Sequence, residues 1–173
     1  MKKHTILINK KALTAVVAIV MASTFAQATS DAQASARLER SVEGVWMVTT
    51  TPRNCVTQVP VPGAAFEGLF TFHKDGTMSA WVQNSVVTVT RSPSQGLWQR
   101  DLGWRKYVFK FIHLCYDASV LYSGMQESVG TLVLAKSDKE FTTDSATTAF
   151  DVDGNVLVVG CATAVGTRFD WDE

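Results

Sequence analysis

From residue 43 onward, apolar and polar residues alternate in short runs and show neither heptads nor a long stripe of helical period. The runs are rich in Val, Thr, Phe and Trp and are broken by Gly, Asp, Asn, Ser and Pro. That combination predicts strands joined by turns. Eight runs can be delimited, near 44–51, 66–73, 77–90, 94–100, 104–117, 125–135, 139–151 and 155–169. Most links between them are short, as in an up-and-down antiparallel meander. The exception is the segment 51–65, TPRNCVTQVPVPGAA, which holds three of the chain's four prolines. A long loop after the first strand is expected there, of the kind that serves as a lid or rim.

The alternation also fixes a register. In FTFHKDGTMSAW (residues 70–81), a two-residue turn at Asp75-Gly76 would mix apolar and polar residues on each face. A type I turn with Gly76 as a bulge pairs His73 with Thr77. It puts Phe70, Phe72, Met78, Ala80 and Val82 on one face, with Thr71, His73, Thr77 and Ser79 on the other. Because a slip of one residue would exchange the faces, the segregated register is the expected one. FDVDGNVL (150–157) repeats the device. In YVFKFIHLCY (107–116), Lys110 marks the outer face, so Tyr107, Phe109, Phe111, His113 and Cys115 are expected to point inward.

The first 34 residues have a different character. Lys2, Lys3, Lys10 and Lys11 precede a charge-free apolar run, Ala12 to Ala22, and Ala32-Gln33-Ala34 offers a small-x-small cleavage site. This pattern predicts a secretory signal, residues 1–34, followed by a single domain, 35–173. The apolar run is short for a membrane span, which needs about 20 residues, so a cleaved signal and no stable membrane anchor are expected, with an uncleaved anchor as the alternative. The whole chain has 16 basic and 16 acidic residues; removing four Lys and one Asp leaves 12 and 15, a formal net charge of −3. No basic stripe remains to bind nucleic acid. The expected location is periplasmic or extracellular. There an oxidising environment allows a disulfide among Cys55, Cys115 and Cys161, with one thiol left over.

Eight antiparallel strands leave two exposed edges unless the sheet closes on itself. A closed eight-stranded barrel has an interior wide enough for packed side chains or one small ligand. Gly44-Val45-Trp46 opens the first strand, Arg168 lies in GTRF near the end of the last, and EGLFTFHKDGTMSA spans the second hairpin. On these motifs the chain resembles the calycin group, the lipocalin-like barrels. The resemblance implies an all-β, eight-stranded antiparallel barrel in which Gly44 admits the chain closely, Trp46 plugs the closed end and Arg168 packs over the indole. An Arg over a Trp face contributes about 0.5–2 kcal/mol. If Trp46 faces Arg168, the first and last strands pair so that Cys55 falls two residues from Cys161, and a Cys55–Cys161 disulfide is expected. Closing so long a loop would stabilise the fold by up to roughly 4–5 kcal/mol in the chain-entropy account.

The resemblance also implies a small hydrophobic or aromatic molecule as partner. The aromatic supply offers Trp81, Tyr107, Phe109 and Phe111 as a ligand-binding set, with His113 or Tyr107 to fix orientation. A barrel filled by its own side chains, acting as a structural or interaction module, is the bland alternative. An isomerase-, cyclase- or decarboxylase-like enzyme with a His113-centred acid–base site is the reactive one. His113 and Cys115 share a face two residues apart, a spacing that a reactive thiol and its base can use, although a packed thiol beside a hydrogen-bonded His needs nothing more. His73 and His113 are the two His beyond the signal and lack metal-ligand spacing, so no metal is expected. DVDGN (151–155) reads as a turn, since the twelve-residue calcium loop is absent. Arg105 and Glu127 are candidates for a polar anchor at a pocket mouth, with surface placement the simpler expectation. No G-x-S-x-G elbow and no phosphate-cradling glycine loop is present, and no cofactor is expected. The second Gly-x-Trp, Gly96 to Trp98, has the form of a packing motif. Ligand identity and oligomeric state are not specified by the sequence.

Overall fold

A computed structural model describes residues 41–82 and 90–171. The expected signal segment, 1–34, lies outside them. Nine strands follow in chain order: β1 (Gly44–Arg53), β2 (Phe66–Phe72), β3 (Thr77–Val82), β4 (Thr90–Arg91), β5 (Ser94–Arg100), β6 (Lys106–Tyr116), β7 (Tyr122–Leu134), β8 (Glu140–Phe150) and β9 (Val156–Arg168). Among the described residues there is no helix. All pairings are antiparallel, and they run β6–β5–β3–β2–β1–β9–β8–β7 and back to β6. The sheet is therefore a closed barrel of eight staves, which removes the two edges that a meander would expose. The two-residue β4 continues the β5 stave along β6.

The segregated register forms. Phe72 pairs with Met78, and the His73 N–H donates to the Thr77 carbonyl at 2.9 Å. The hairpin at 151–155 closes in the same way, with the Asp151 N–H donating to Asn155 at 3.0 Å. The Asp151 carboxylate accepts from the backbone N–H groups of Asp153 and Asn155, so DVDGN is a self-capped turn. Along β6, Tyr107, Phe109, Phe111, His113 and Cys115 are all buried, as the Lys110 marker implies. Trp46 pairs with Arg168, and the β1–β9 register continues to Arg53 opposite Cys161. Cys55 and Cys161 form a disulfide, their Cα atoms 5.2 Å apart, and Cys115 is a buried free thiol.

Two expectations need correction. The run 77–90 is not one strand. β3 is described to Val82, residues 83–89 lie outside the described set, and Thr90 pairs with Tyr116 of β6 and so belongs to the next stave. The loop after β1 also begins later than residue 51 and spans 54–65. β1 extends to Arg53, which bridges Pro60, and the Asn54 Oδ1 accepts from the N–H groups of Val56 and Thr57 at 2.8 and 2.9 Å. The disulfide ties this folded turn to β9.

One end of the barrel is packed shut. Rings run in contact from Trp46 to Phe141 (4.8 Å between centroids), Phe72 (6.1 Å), Trp98 (6.0 Å) and Tyr107 (5.7 Å). Leu132, Leu134, Met78 and Val42 fill the space around them. The Arg168 guanidinium lies 4.2 Å from the Trp46 ring and donates to the carbonyls of Ser41, Glu43 and Asp138 at 2.6–2.8 Å. Gly44 has φ +121°, and a Cβ there would stand 3.0 Å from Arg168 Nη1. Both Gly-x-Trp motifs serve this end. Trp46 Nε1 donates to the Val42 carbonyl at 2.8 Å and Trp98 Nε1 to the His73 carbonyl at 2.9 Å. Gly96 lets β5 approach β6, because a Cβ would meet the Lys110 carbonyl oxygen at 2.1 Å.

Candidate functional site

Above that floor the interior opens into a cavity of about 240 Å³. Its position follows from side-chain size. On the inward face, β6 carries large rings, whereas β9 carries Gly160, Ala162 and Ala164, so the middle of the barrel is underfilled.

The cavity has two unlike walls. One is aromatic: Phe70 lies 5.7 Å from Phe111 and 6.3 Å from Phe109, and the last two stack at 6.0 Å with 8° between planes. Phe66 and Val82 extend this wall toward the open end. The other is a band of hydroxyls from β7 and β8: Ser128, Thr143, Ser145 and Thr147. Part of that band is internally satisfied, with Ser128 Oγ and Thr147 Oγ1 2.7 Å apart and Ser145 donating to the Ala162 carbonyl at 3.3 Å.

Between the walls sits His113, 3% exposed. Burial in the first place, and the nearby Arg91 charge in the second, push its pKa down from 6.5 to about 4. It is therefore a neutral imidazole near pH 7. Its Nε2 lies 3.0 Å from the Gln126 Oε1 and its Nδ1 3.4 Å from the Ser94 hydroxyl. The amide oxygen can only accept, so Nε2 carries the proton and Nδ1 accepts from Ser94. Burial likewise raises the Cys115 thiol pKa, with Arg91 opposing in part, which disfavours the thiolate. A base with a pKa near 4 accepts protons poorly at neutral pH, and a protonated thiol is a weak nucleophile.

Of the residues singled out in the sequence, Phe109, Phe111 and His113 line this cavity. Tyr107 is buried below it in the ring floor, where Arg100 packs 5.3 Å from its centroid. Trp81 is not in the interior: it alternates with the inward Ala80 and Val82, faces out and is 54% exposed. Trp104 is exposed near the closed end. Arg105 also lies at that end, bound to the Asp138 carboxylate and the Ala135 carbonyl, and Glu127 is on the outer face opposite Ile112. His73 meets Ser79 on the outer face of its hairpin, at the opposite end of the barrel from His113. Among the described residues, no three His, Cys, Asp or Glu side chains gather as a metal site would require.

The sequence reading missed Arg91, Gln126 and the hydroxyl band. The band was in principle legible. Thr143, Ser145 and Thr147 share the parity of the buried Phe141, but FTTDSATTA is polar on both faces and shows no contrast to read. Arg91 was hidden by a bulge. Ser92 is bonded to Leu114 and Gln95 is paired with Ile112, so Pro93 and Ser94 face the single residue His113. The extra residue inverts the alternation and turns Arg91 inward opposite Cys115, where strict alternation with Gln95 and Leu97 would point it out.

Compared with protein-family models and with curated proteins, the sequence matches none.

Proposed function

We propose that this barrel is an exported binding protein of calycin type that holds one small amphipathic molecule in its interior. The observation carrying this reading is the cavity above the ring floor, with an aromatic wall on one side and hydroxyl, amide and imidazole groups on the other. An apolar face of the ligand gains roughly 25 cal/mol per Å² removed from water against the Phe wall. Its polar groups take orientation from the facing band, the usual division of labour in a small-molecule site. Size narrows the class. A 150 Å³ protein cavity accommodates benzene, so about 240 Å³ accommodates about ten non-hydrogen atoms. Export is supported by the N-terminal sequence pattern and by the Cys55–Cys161 disulfide, which suits an oxidising compartment.

Native mass spectrometry of protein purified from its own host tests the reading. The expected result is a bound small molecule released on denaturation. It should be lost in Ala162→Phe, which places a ring in the middle of the cavity between Pro52 and Ser145. Wild-type protein that carries no such molecule, or carries it equally with the blocked variant, contradicts the proposal.

A further inference from the structure

The described arginines differ in one respect. Arg53 and Arg105 pair with Asp144 and Asp138, Arg100 donates to the Trp104 carbonyl, and Arg168 holds three carbonyls. Arg91 alone has no hydrogen bond or ion pair with a described residue and lines the cavity; its Nε is buried without a partner, as is that of Arg53, whose guanidinium is otherwise paired with Asp144. No Asp or Glu is among the cavity-lining residues, and the sequence of 83–89, QNSVVTV, contains none. A guanidinium stays protonated in proteins, and a partly buried, unpaired one is costly. Here a bulge beside a proline aims it inward, the kind of backbone device that re-aims a side chain at functional sites.

We propose that Arg91 is the anion-binding residue of the cavity and that the ligand is a small apolar carboxylic acid, its carboxylate on Arg91 and its hydrocarbon against Phe70, Phe109 and Phe111. This inference rests on the ligand-binding reading above. A single negative charge is favoured because the described lining residues offer a single positive one: His113 is neutral and the Cys115 thiol pKa is raised by burial. A phosphate dianion would bury an uncompensated charge. The planar fork of the guanidinium matches a carboxylate through two parallel hydrogen bonds. Gln126 adds a neutral donor, since its Oε1 accepts from His113 and leaves the amide NH2 for the second face of the carboxylate.

Calorimetric titration with matched acid and amide pairs tests this: 3-phenylpropanoate against 3-phenylpropanamide, and octanoate against octanamide, the two pairs separating aromatic from aliphatic acids. A charge-assisted hydrogen bond predicts that at least one acid binds about ten- to a hundredfold more tightly than its amide. In Arg91→Gln the acid should fall to the level of the amide, and Arg91→Lys should keep part of the preference. Acid and amide binding alike to the wild type, or a preference that survives Arg91→Gln, overturns the role of Arg91 and leaves the cavity reading intact. Failure of the wild type to bind either member of both pairs overturns both. Should Arg91→Gln not fold, as judged by its near-ultraviolet circular dichroism, the wild-type ratio and Arg91→Lys decide the matter.

Discussion

His113 carries a stability signature that can be separated from any ligand. In the unfolded chain its imidazole takes up a proton near pH 6.5, whereas in the barrel burial delays this to about pH 4. Between those values the unfolded state binds more protons, so stability falls as pH falls; the loss begins near 6.5 and is complete below about 4. A shift of this size corresponds to on the order of 3 kcal/mol. Urea unfolding of the wild type should therefore show a declining midpoint between pH 6.5 and 4, and His113→Asn should flatten that decline. A variant with the same slope as the wild type would show that His113 is not held neutral by burial. The residue scale also shows where alternation succeeds. It places Phe109, Phe111 and His113 on one face because Lys110 marks the other. The same parity, applied to β3, puts Trp81 outside with Leu69, and its bulk alone was a poor guide to the interior.

At the scale of elements, the closed end depends on one side chain that joins three segments. Arg168 on β9 binds carbonyls before β1 and in the β7–β8 turn, and covers Trp46. Hydrogen bonds from a charged donor contribute about 1.5–3 kcal/mol each, and contributions within one network do not simply add. Arg168→Met keeps an unbranched apolar stem but strands those carbonyls. It should lower the free energy of unfolding by at least about 3 kcal/mol in denaturant titration, with Arg168→Lys in between. A loss under about 1 kcal/mol would mean that the ring floor holds the end without it. The hairpins and the pairing of Trp46 with Arg168 were legible because turn residues and segregated faces leave one consistent register. The 90–94 segment was not, because a bulge changes phase without any change in composition.

For the molecule as a whole, the interior divides into a sealed floor and an open chamber, and only the first announces itself in sequence. The floor is built from large residues at regular parity, together with the two Gly-x-Trp motifs, which serve the same end. The chamber is defined by small residues on β9, hydroxyls on β8 and a re-aimed arginine, none of which stands out in a hydropathy pattern. The central claim, that a small molecule occupies this chamber, is tested most directly by amide chemical-shift mapping on the isotopically labelled protein titrated with 3-phenylpropanoate and, separately, with octanoate. The largest perturbations are predicted on the cavity staves, at Phe109, Phe111, His113, Gln126, Thr143 and Ser145, with the outer row Met47, Leu69 and Trp81 scarcely moved. Perturbations confined to that outer row, or none at high concentrations of either acid, would contradict it.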